Sequence, residues 1–284
     1  MKKLFIFALT MLVIASCDSK KKSHDDDKDR TEQMADDDDS EEEALTFKTI
    51  TYKEMKGIAE VELSVAFPVK GNDNLLKSIR EYLNETFTDS YKGLLDDGKE
   101  MVKHYGDQLL DEYYELGQEY ADDEYVTEVY FHKTITKDYE TDGYVSLHET
   151  ADYYTGGVHG SVNDYGISFR KSDGRRFGVD MMRNTNGYDF HQVIKEGLKK
   201  YFCDNDHLSS ISDEELKEYL VSFSGDIDDL PLPSAPPYLT KDGIRFVYQP
   251  YEISYFAAGT PEFTIPYEDA KPFLTSAAIE MIGK

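Results

Sequence analysis

The stretch IAEVELSVAFPVKGNDNLLKSIREYLNETFTDSYKG, residues 58–93, decides the fold class. Its first half alternates apolar and polar residues, which predicts a strand with one buried face that ends at Pro68. The apolar positions of that strand are Ala59, Val61, Leu63, Val65 and Phe67. After Asn72 the apolar spacing becomes helical, and Gly93 marks the predicted end of an amphipathic helix. The apolar positions of that helix are Leu75, Leu76, Ile79, Leu83 and Phe87.

The segments on either side repeat these two patterns. Upstream, LTFKTITYKE (residues 45–54) also alternates, and Gly57 predicts a hairpin between the two strands. Downstream, an acidic helix is predicted from Lys99 to about Tyr120, with a stripe formed by Met101, Tyr105, Leu109 and Tyr113. Three strand-like segments follow, with TDG and SDG as turn signals: EYVTEVYFHKTITKDY, GYVSLHETADYYT and SVNDYGISFRKSDGRRFGV.

The C-terminal part contains further helices and one more hairpin. YDFHQVIKEGLKKYFC (188–203) and residues 213–223 are predicted helices, and residues 241–243 are the turn of a final hairpin. EFTIPYEDAKPFL (262–274) predicts a strand and then a short helix that begins near Tyr267. Strands occur in hairpin-linked sets and helices in blocks, which indicates an α+β fold of antiparallel sheets packed with helices on one face. The expected boundary lies near Gly174, between regions 44–174 and 175–284.

The N-terminal residues have the features of a secretory signal. Lys2 and Lys3 precede an uncharged, mostly apolar run from Leu4 to Ser16. As a helix this run would be only about 20 Å long, short of the roughly 30 Å of a bilayer core. Small residues before Cys17 resemble the bacterial lipobox, which implies cleavage after residue 16 and lipidation of Cys17. The sequence therefore predicts a lipoprotein with a signal peptide at 1–16, anchored to a membrane through Cys17.

Residues 17–43 are predicted to be a disordered acidic tether. From Asp18 to Glu43 there are 13 acidic and 5 basic residues, and Met34 is the only large apolar one. Such a segment cannot bury enough surface to offset its chain entropy. Acidic residues after a lipidated cysteine also resemble the export signal of some surface lipoproteins. A solvated spacer and a surface-export address both remain open.

The charge of the remaining chain limits its partners. Residues 44–284 contain 44 acidic and 24 basic residues, a net charge of −20. There is no basic stripe to contact phosphates, so nucleic acid is excluded as a partner. A field of this sign favours encounter with cationic proteins, and it also keeps a surface protein soluble. Both consequences remain open.

Cysteine and histidine spacing provides no metal or catalytic motif. With Cys17 lipidated, Cys203 has no partner for an intrachain disulfide, and its helical neighbours indicate a buried structural thiol. The closest two of the seven histidines are eleven residues apart, so the usual helical zinc motifs are absent. A site built from His148, Asp152 and His159 across a hairpin stays open. No catalytic residue, metal or cofactor is assigned.

One glycine-rich segment, YYTGGVHG at residues 153–160, is a candidate binding or catalytic site. Its glycines permit a bulged turn between two aromatic strands, and a histidine there can fix the loop by donating to a carbonyl or to Asp164. A structural role is preferred for His159, with ligand contact or catalysis as alternatives. The candidate binding residues are Tyr153, Tyr154, Gly156, Gly157 and His159.

The same segment, together with LTKDGIRFVYQPYEISYFAAGTPEFTIPYEDAKPFL at 239–274, resembles a known pair of bacterial domains. These are the domains of unknown function DUF4163 (the PdaC-type N-terminal region), expected at 44–174, and DUF3298 (RsiV-like), expected at 175–284. The resemblance covers roughly residues 46–274 and implies a compact α+β ectodomain. Family members include parts of anti-sigma factors that bind lysozyme, and others lie beside polysaccharide deacetylase domains.

Two departures from the family narrow this expectation. The sequence shows neither the transmembrane helix of the anti-sigma factors nor the metal-binding catalytic domain of the deacetylases. We therefore expect a lipoprotein of the outer membrane, periplasmic-facing or at the cell surface, whose domain binds without catalysis. The partner suggested by the resemblance is a cationic protein such as lysozyme, and a cell-wall glycan stacked on tyrosines is another. The alternative is a cell-envelope enzyme acting on peptidoglycan or another polysaccharide, with His159 paired to Asp152 or Asp164.

Overall fold

The computed structural model describes residues 44–120 and 125–283. The predicted signal peptide (1–16), the predicted tether (17–43) and the lipidation site Cys17 lie outside these residues, so they stay predictions. Among the described helices, none combines the length and apolar character needed to cross a bilayer.

Five strands form a sheet in chain order: β1 (Thr46–Lys56), β2 (Ala59–Lys70), β3 (Val129–Glu140), β4 (Tyr144–Tyr154) and β5 (Ser161–Arg170). Two helices, α1 (Asp73–Glu85) and α2 (Gly98–Glu119), lie between β2 and β3 in the chain. The predicted β1–β2 hairpin and the α+β class are confirmed. The expectation of antiparallel pairing is wrong for one pair, because β2 and β3 are parallel. The helices α1 and α2 return the chain to the same end of the sheet before β3 begins, and such a crossover makes the two strands parallel.

Helix α1 begins as predicted but ends early. The Asn72 side chain accepts hydrogen bonds from the backbone of Asn74 and Leu75 and so caps the helix. The helix ends at Glu85 rather than near Gly93, because the chain turns through Thr88 and Asp89, which both have positive φ angles.

One face of the five-stranded sheet packs against α1 and α2. Alternate residues of β2 supply its centre, as their spacing predicts, and the apolar stripes of both helices cover them. The main β2 contributors are Val61, Leu63, Val65 and Phe67, and the main helical ones are Leu75, Ile79, Leu83, Met101, Val102 and Tyr105.

The C-terminal part has its own three-stranded antiparallel sheet of β6 (Tyr238–Leu239), β7 (Ile244–Val247) and β8 (Glu262–Ile265). Four helices accompany it: α3 (Tyr188–Asp206), α4 (Asp213–Tyr219), α5 (Tyr267–Ala270) and α6 (Ser276–Ile282). The hairpin across residues 241–243 and the burial of Cys203 are confirmed. Helix α6 was not predicted, although its face contributes Ala278 and Met281 to the core of this part.

The two sheets meet through β6, on the face of the larger sheet opposite to α1 and α2. Ser146 donates a hydrogen bond of 2.6 Å to the carbonyl of Leu239, and the amide of Leu239 donates to Ser168 at 2.7 Å. The elements within Glu42–Lys284 form one compact unit. The proposed division near Gly174 into two separate domains stays a prediction. β6 covers only part of this face, and several residues of β2, β3 and β4 on it stay partly exposed.

Candidate functional site

The segment YYTGGVHG forms the end of β4, a loop and the residues before β5. Gly156 has a φ of +77°, and a Cβ atom placed on it would lie 2.3 Å from the Tyr120 ring. The Tyr120 hydroxyl donates to the Gly156 carbonyl at 2.8 Å. Gly156 is therefore required by the close approach of Tyr120, whereas nothing lies within 4 Å of a Cβ on Gly157.

The two tyrosines of this segment lie on different faces of the sheet, because consecutive strand residues point in opposite directions. Tyr153 stacks on Phe131 on the side of the sheet packed by helices. Tyr154 lies on the opposite side, and its hydroxyl donates to the Gly157 carbonyl at 2.8 Å. The five predicted binding residues thus share a loop but do not form one surface.

The His159 side chain contacts its own loop and the segment that contains Tyr251 and Phe256. Its Nδ1 donates to the carbonyl of Gly160 at 2.7 Å, and its Nε2 lies 3.2 Å from the hydroxyl of Tyr251. The ring also stacks on Phe256, with centroids 3.8 Å apart. A carbonyl oxygen can only accept, so Nδ1 is the donor to Gly160, and the second ring nitrogen is left to bond with the Tyr251 hydroxyl.

His159 does not pair with Asp164 or Asp152, the two carboxylates that the sequence left open as its partners. Asp164 is 3.0 Å from Nε2 of His148, and Asp152 accepts a hydrogen bond from Tyr130. The expected donation to a carbonyl is made, to Gly160. The alternative metal site from His148, Asp152 and His159 is not formed either. Each of these three side chains has a different hydrogen-bond partner.

The two segments that carry the family resemblance are in contact. His159 touches Tyr251 and Phe256, and Gln249 exchanges two hydrogen bonds with the backbone of Asp164. The tip of the loop faces solvent, with Val158 fully exposed and Tyr251 more than half exposed. The loop is thus fixed at its base and offers an apolar tip.

Beside this loop lies a surface that the sequence analysis missed, which we call the open face. It consists of side chains from β2, β3 and β4 on the side of the sheet away from α1 and α2: Glu60, Glu62, Tyr130, His132, Asp152 and Tyr154. None of these six is fully buried. The signal in the sequence was the polar half of each alternating strand, but strand pairing is needed to bring the three sets together.

Aromatic rings and carboxylates are interleaved on the open face. The Tyr130 ring stacks on His132, with centroids 4.8 Å apart, and lies 6.2 Å from that of Tyr154. Its hydroxyl donates to Asp152 at 3.2 Å, and partial burial together with Asp152 raises the pKa of Tyr130. Carboxylates beside aromatic faces are suited to Arg and Lys side chains, through ion pairs and cation–π contacts.

Three residues of the open face also form the one group of possible metal ligands found among the described residues. Donor atoms of Glu60, Glu62 and His132 all lie within 4.8 Å of one another. The ammonium of Lys53 already lies 2.9 Å from Glu60 and 2.6 Å from Glu62. In this arrangement the carboxylates bind a cationic side chain, which is the chemistry expected of the whole face.

A second charged group lies on the helix-covered side and is inaccessible. Lys133 and Glu149 form an ion pair of 2.7 Å in which both side chains are almost fully buried. Thr86 and Tyr82 donate to the Glu149 carboxylate, and Lys133 donates to the Thr86 carbonyl. Burial lowers the pKa of Lys133, against the opposing effect of Glu149. With every partner satisfied and no access for a ligand, this group is structural.

The comparisons with known proteins agree with the C-terminal resemblance. Residues 185–268 match a family described as "Protein of unknown function (DUF3298)", which confirms the DUF3298 part of the expectation. This stretch begins just before α3 and includes β6, β7 and β8. No curated protein matches the chain. The resemblance of residues 44–174 to DUF4163 stays a prediction.

Two solved structures share the architecture. A member of the DUF3298 family from Bacteroides fragilis NCTC 9343 is 26% identical, with a TM-score of 0.67, covering 85% of this chain and 98% of its own. A DUF3298 family protein from Pseudomonas aeruginosa PAO1 is 14% identical, with a TM-score of 0.57, covering 82% of this chain and 96% of its own. The second likeness shows a common fold only. The fold is therefore shared well beyond the matched stretch of 185–268.

Proposed function

We propose that residues 44–283 form a binding domain without catalysis, which recognises a cationic protein through the open face. The observation that carries this proposal is the interleaving of Glu60, Glu62 and Asp152 with the rings of Tyr130 and Tyr154 on one face of the sheet. Central aromatic anchors beside carboxylates match the chemistry of a partner rich in Arg and Lys. A lysozyme-like protein is the partner that the family resemblance suggests.

The adjacent loop supports the same surface. Tyr154 lies on the open face and also holds the loop through Gly157, and the exposed side chain of Val158 stands at the tip. Exposed apolar groups next to a charged surface are typical of protein interfaces. The net charge of −20 on residues 44–284 would accelerate encounter with a cationic partner.

Substitutions on the open face test this proposal. We expect the pair Glu62→Gln and Asp152→Asn to weaken lysozyme binding by about tenfold or more, because two carboxylates lose their charge. The amides keep the shape of the side chains and one acceptor oxygen each, so the fold should survive. The matched control is Glu112→Gln with Glu115→Gln, an equal change of charge on the exposed side of α2. Equal losses in both variants would show that net charge, not the open face, determines binding.

We also propose that the domain is held at the outer membrane by lipidation of Cys17. Support comes from the basic start, the apolar run and the small residues before Cys17. Mass spectrometry of the N-terminal peptide from membranes should show an acylated residue 17. The variant Cys17→Ser should leave the protein uncleaved and without that mass increment. An unmodified Cys17 in the mature protein would overturn this part of the proposal.

A further inference from the structure

A groove of about 740 Å³ lies between β1 and α2, and no residue of the YYTGGVHG segment lines it. Seven consecutive residues of β1, 48–54, form one wall. The other wall is formed by α2 through Lys99, Lys103, Asp107 and Leu110. These four lie at intervals of four, four and three, so they share one face of the helix.

The strand wall offers backbone groups to a ligand. β1 is the edge strand of the five-stranded sheet, and its only strand partner among the described residues is β2. In an antiparallel pair, alternate residues of the edge strand direct their N–H and C=O groups away from the partner. Outside its ladder with β2, no backbone hydrogen bond is made by residues 46–56 to the described chain. Within the described part of the chain, the edge of β1 is thus free to pair.

The helix wall is held close to the strand. A Cβ atom placed on Gly106 would lie 2.4 Å from the ring of Tyr52, so this ring packs directly against the helix backbone. The Tyr52 hydroxyl donates to Asp107 at 3.1 Å. Gly106 and this hydrogen bond fix the spacing between the edge strand and the helix, and hence the width of the groove.

The groove is basic in an otherwise strongly acidic chain. Four lysines line it, whereas the chain carries a net charge of −26. Lys103 is paired with Asp107, and Lys53 with Glu60 and Glu62. Lys48 and Lys99 form no ion pair with any residue that the structure describes. Lysines on an edge strand discourage unwanted pairing, but that role does not account for Lys99, which lies on the helix.

We propose that this groove binds an extended acidic peptide, which pairs with β1 as a sixth strand. The backbone of the peptide would hydrogen bond to the free edge of residues 48–54, and its carboxylates would meet Lys48 and Lys99. At about 3.3 Å per residue, the seven strand residues accommodate a peptide of about seven residues. The groove adjoins the open face through Lys53, which pairs with Glu60 and Glu62. Lys48 and Lys99 are not part of that face, so this proposal extends the proposed function and does not depend on it.

The test uses residues 42–284, the compact unit that contains both cores. The probe is the peptide acetyl-Glu-Val-Glu-Val-Asp-Val-Glu-amide, titrated by calorimetry at low salt. We expect saturable binding, with amide hydrogen exchange in residues 46–56 slowed about tenfold or more at saturation. The control peptide replaces each Val with Pro, which keeps the charge but removes the N–H donors that strand pairing needs. It should bind at least about tenfold more weakly.

A pair of matched variants locates the site. Lys99→Glu should weaken binding of the probe peptide by about tenfold or more. Lys77→Glu makes an equal change of charge at an exposed position of α1 and should alter binding by less than about twofold. Circular dichroism confirms that both variants fold. The proposal is overturned if the probe does not bind, if the proline peptide binds equally well, or if β1 gains no protection. Equal weakening by Lys99→Glu and Lys77→Glu would also overturn it.

Discussion

His159 and Tyr251 are 92 positions apart in the chain, yet the imidazole Nε2 and the tyrosine hydroxyl form a hydrogen bond of 3.2 Å. The bond joins the loop after β4 to the segment between β7 and β8. His159, which the sequence offered as a possible catalytic residue, therefore connects the five-stranded sheet to the C-terminal part of the chain.

Removing this connection should destabilise the protein. His159→Ala loses the stack on Phe256 and two hydrogen bonds, so we expect the free energy of unfolding to fall by about 1–3 kcal/mol. Tyr251→Phe loses one hydrogen bond only and should cost about 1 kcal/mol or less. Urea unfolding measures both. A His159→Ala protein as stable as the unsubstituted one would show that the histidine has no structural role.

Two adjacent glycines should differ sharply in their tolerance of alanine. Gly156→Ala introduces a Cβ against the Tyr120 ring at a positive φ, so we expect a loss of about 1–3 kcal/mol. Gly157→Ala meets no neighbour and should change stability by less than about 0.5 kcal/mol. The comparison of melting temperatures needs no other control. Equal effects of the two substitutions would contradict the described loop.

The buried ion pair of Lys133 and Glu149 predicts a large loss of stability in a single variant, which a second substitution should partly restore. Lys133→Met leaves the Glu149 carboxylate buried without its cation, at a cost of about 3–5 kcal/mol. Adding Glu149→Gln removes the uncompensated charge, so the double variant should recover much of that loss. Denaturant titrations of the single and double variants provide the comparison. A double variant no more stable than Lys133→Met would show that the charge itself is not the cause.

His148 should make stability depend on pH. Its hydrogen bond to Asp164 raises the pKa of the imidazole, against the opposing effect of partial burial. The folded protein therefore holds this proton more tightly than the unfolded chain does. The added stability is complete below the ordinary histidine value of 6.5 and is lost as the pH rises through the higher folded-state value.

The variant His148→Gln isolates this contribution. We expect the stability difference between the unsubstituted protein and the variant to shrink as the pH is raised above 6.5, by less than about 1 kcal/mol because the pair is partly exposed. Urea unfolding at a series of pH values measures that difference. A difference that grows with pH would contradict the assigned direction.

Local sequence patterns predicted most of the elements, because alternation and helical spacing are properties of neighbouring residues. The β1–β2 hairpin, α2 and the final hairpin follow from such patterns. The parallel pairing of β2 with β3 does not, because it depends on where α1 and α2 return the chain. Helix α6 was missed as well, since its seven residues carry only a short apolar pattern.

The candidate site was harder to predict than the fold, because its partners are distant in sequence. The glycine-rich loop was found from its composition, but Tyr251 and Phe256 could not be assigned to His159. The open face could not be predicted for the same reason. Glu62, His132 and Asp152 are individually ordinary polar strand residues, and only the register of β2, β3 and β4 makes them neighbours.

The central claim, that this domain binds a cationic protein, is tested most directly by calorimetric titration of residues 42–284 with hen lysozyme at two salt concentrations. A muropeptidase assay on the same samples shows whether the bound lysozyme is inhibited. We predict stoichiometric binding that weakens as salt is raised, since ion pairs at an exposed surface are screened. No binding at low salt would contradict the proposed partner and direct the search to cell-wall glycans and envelope enzymes.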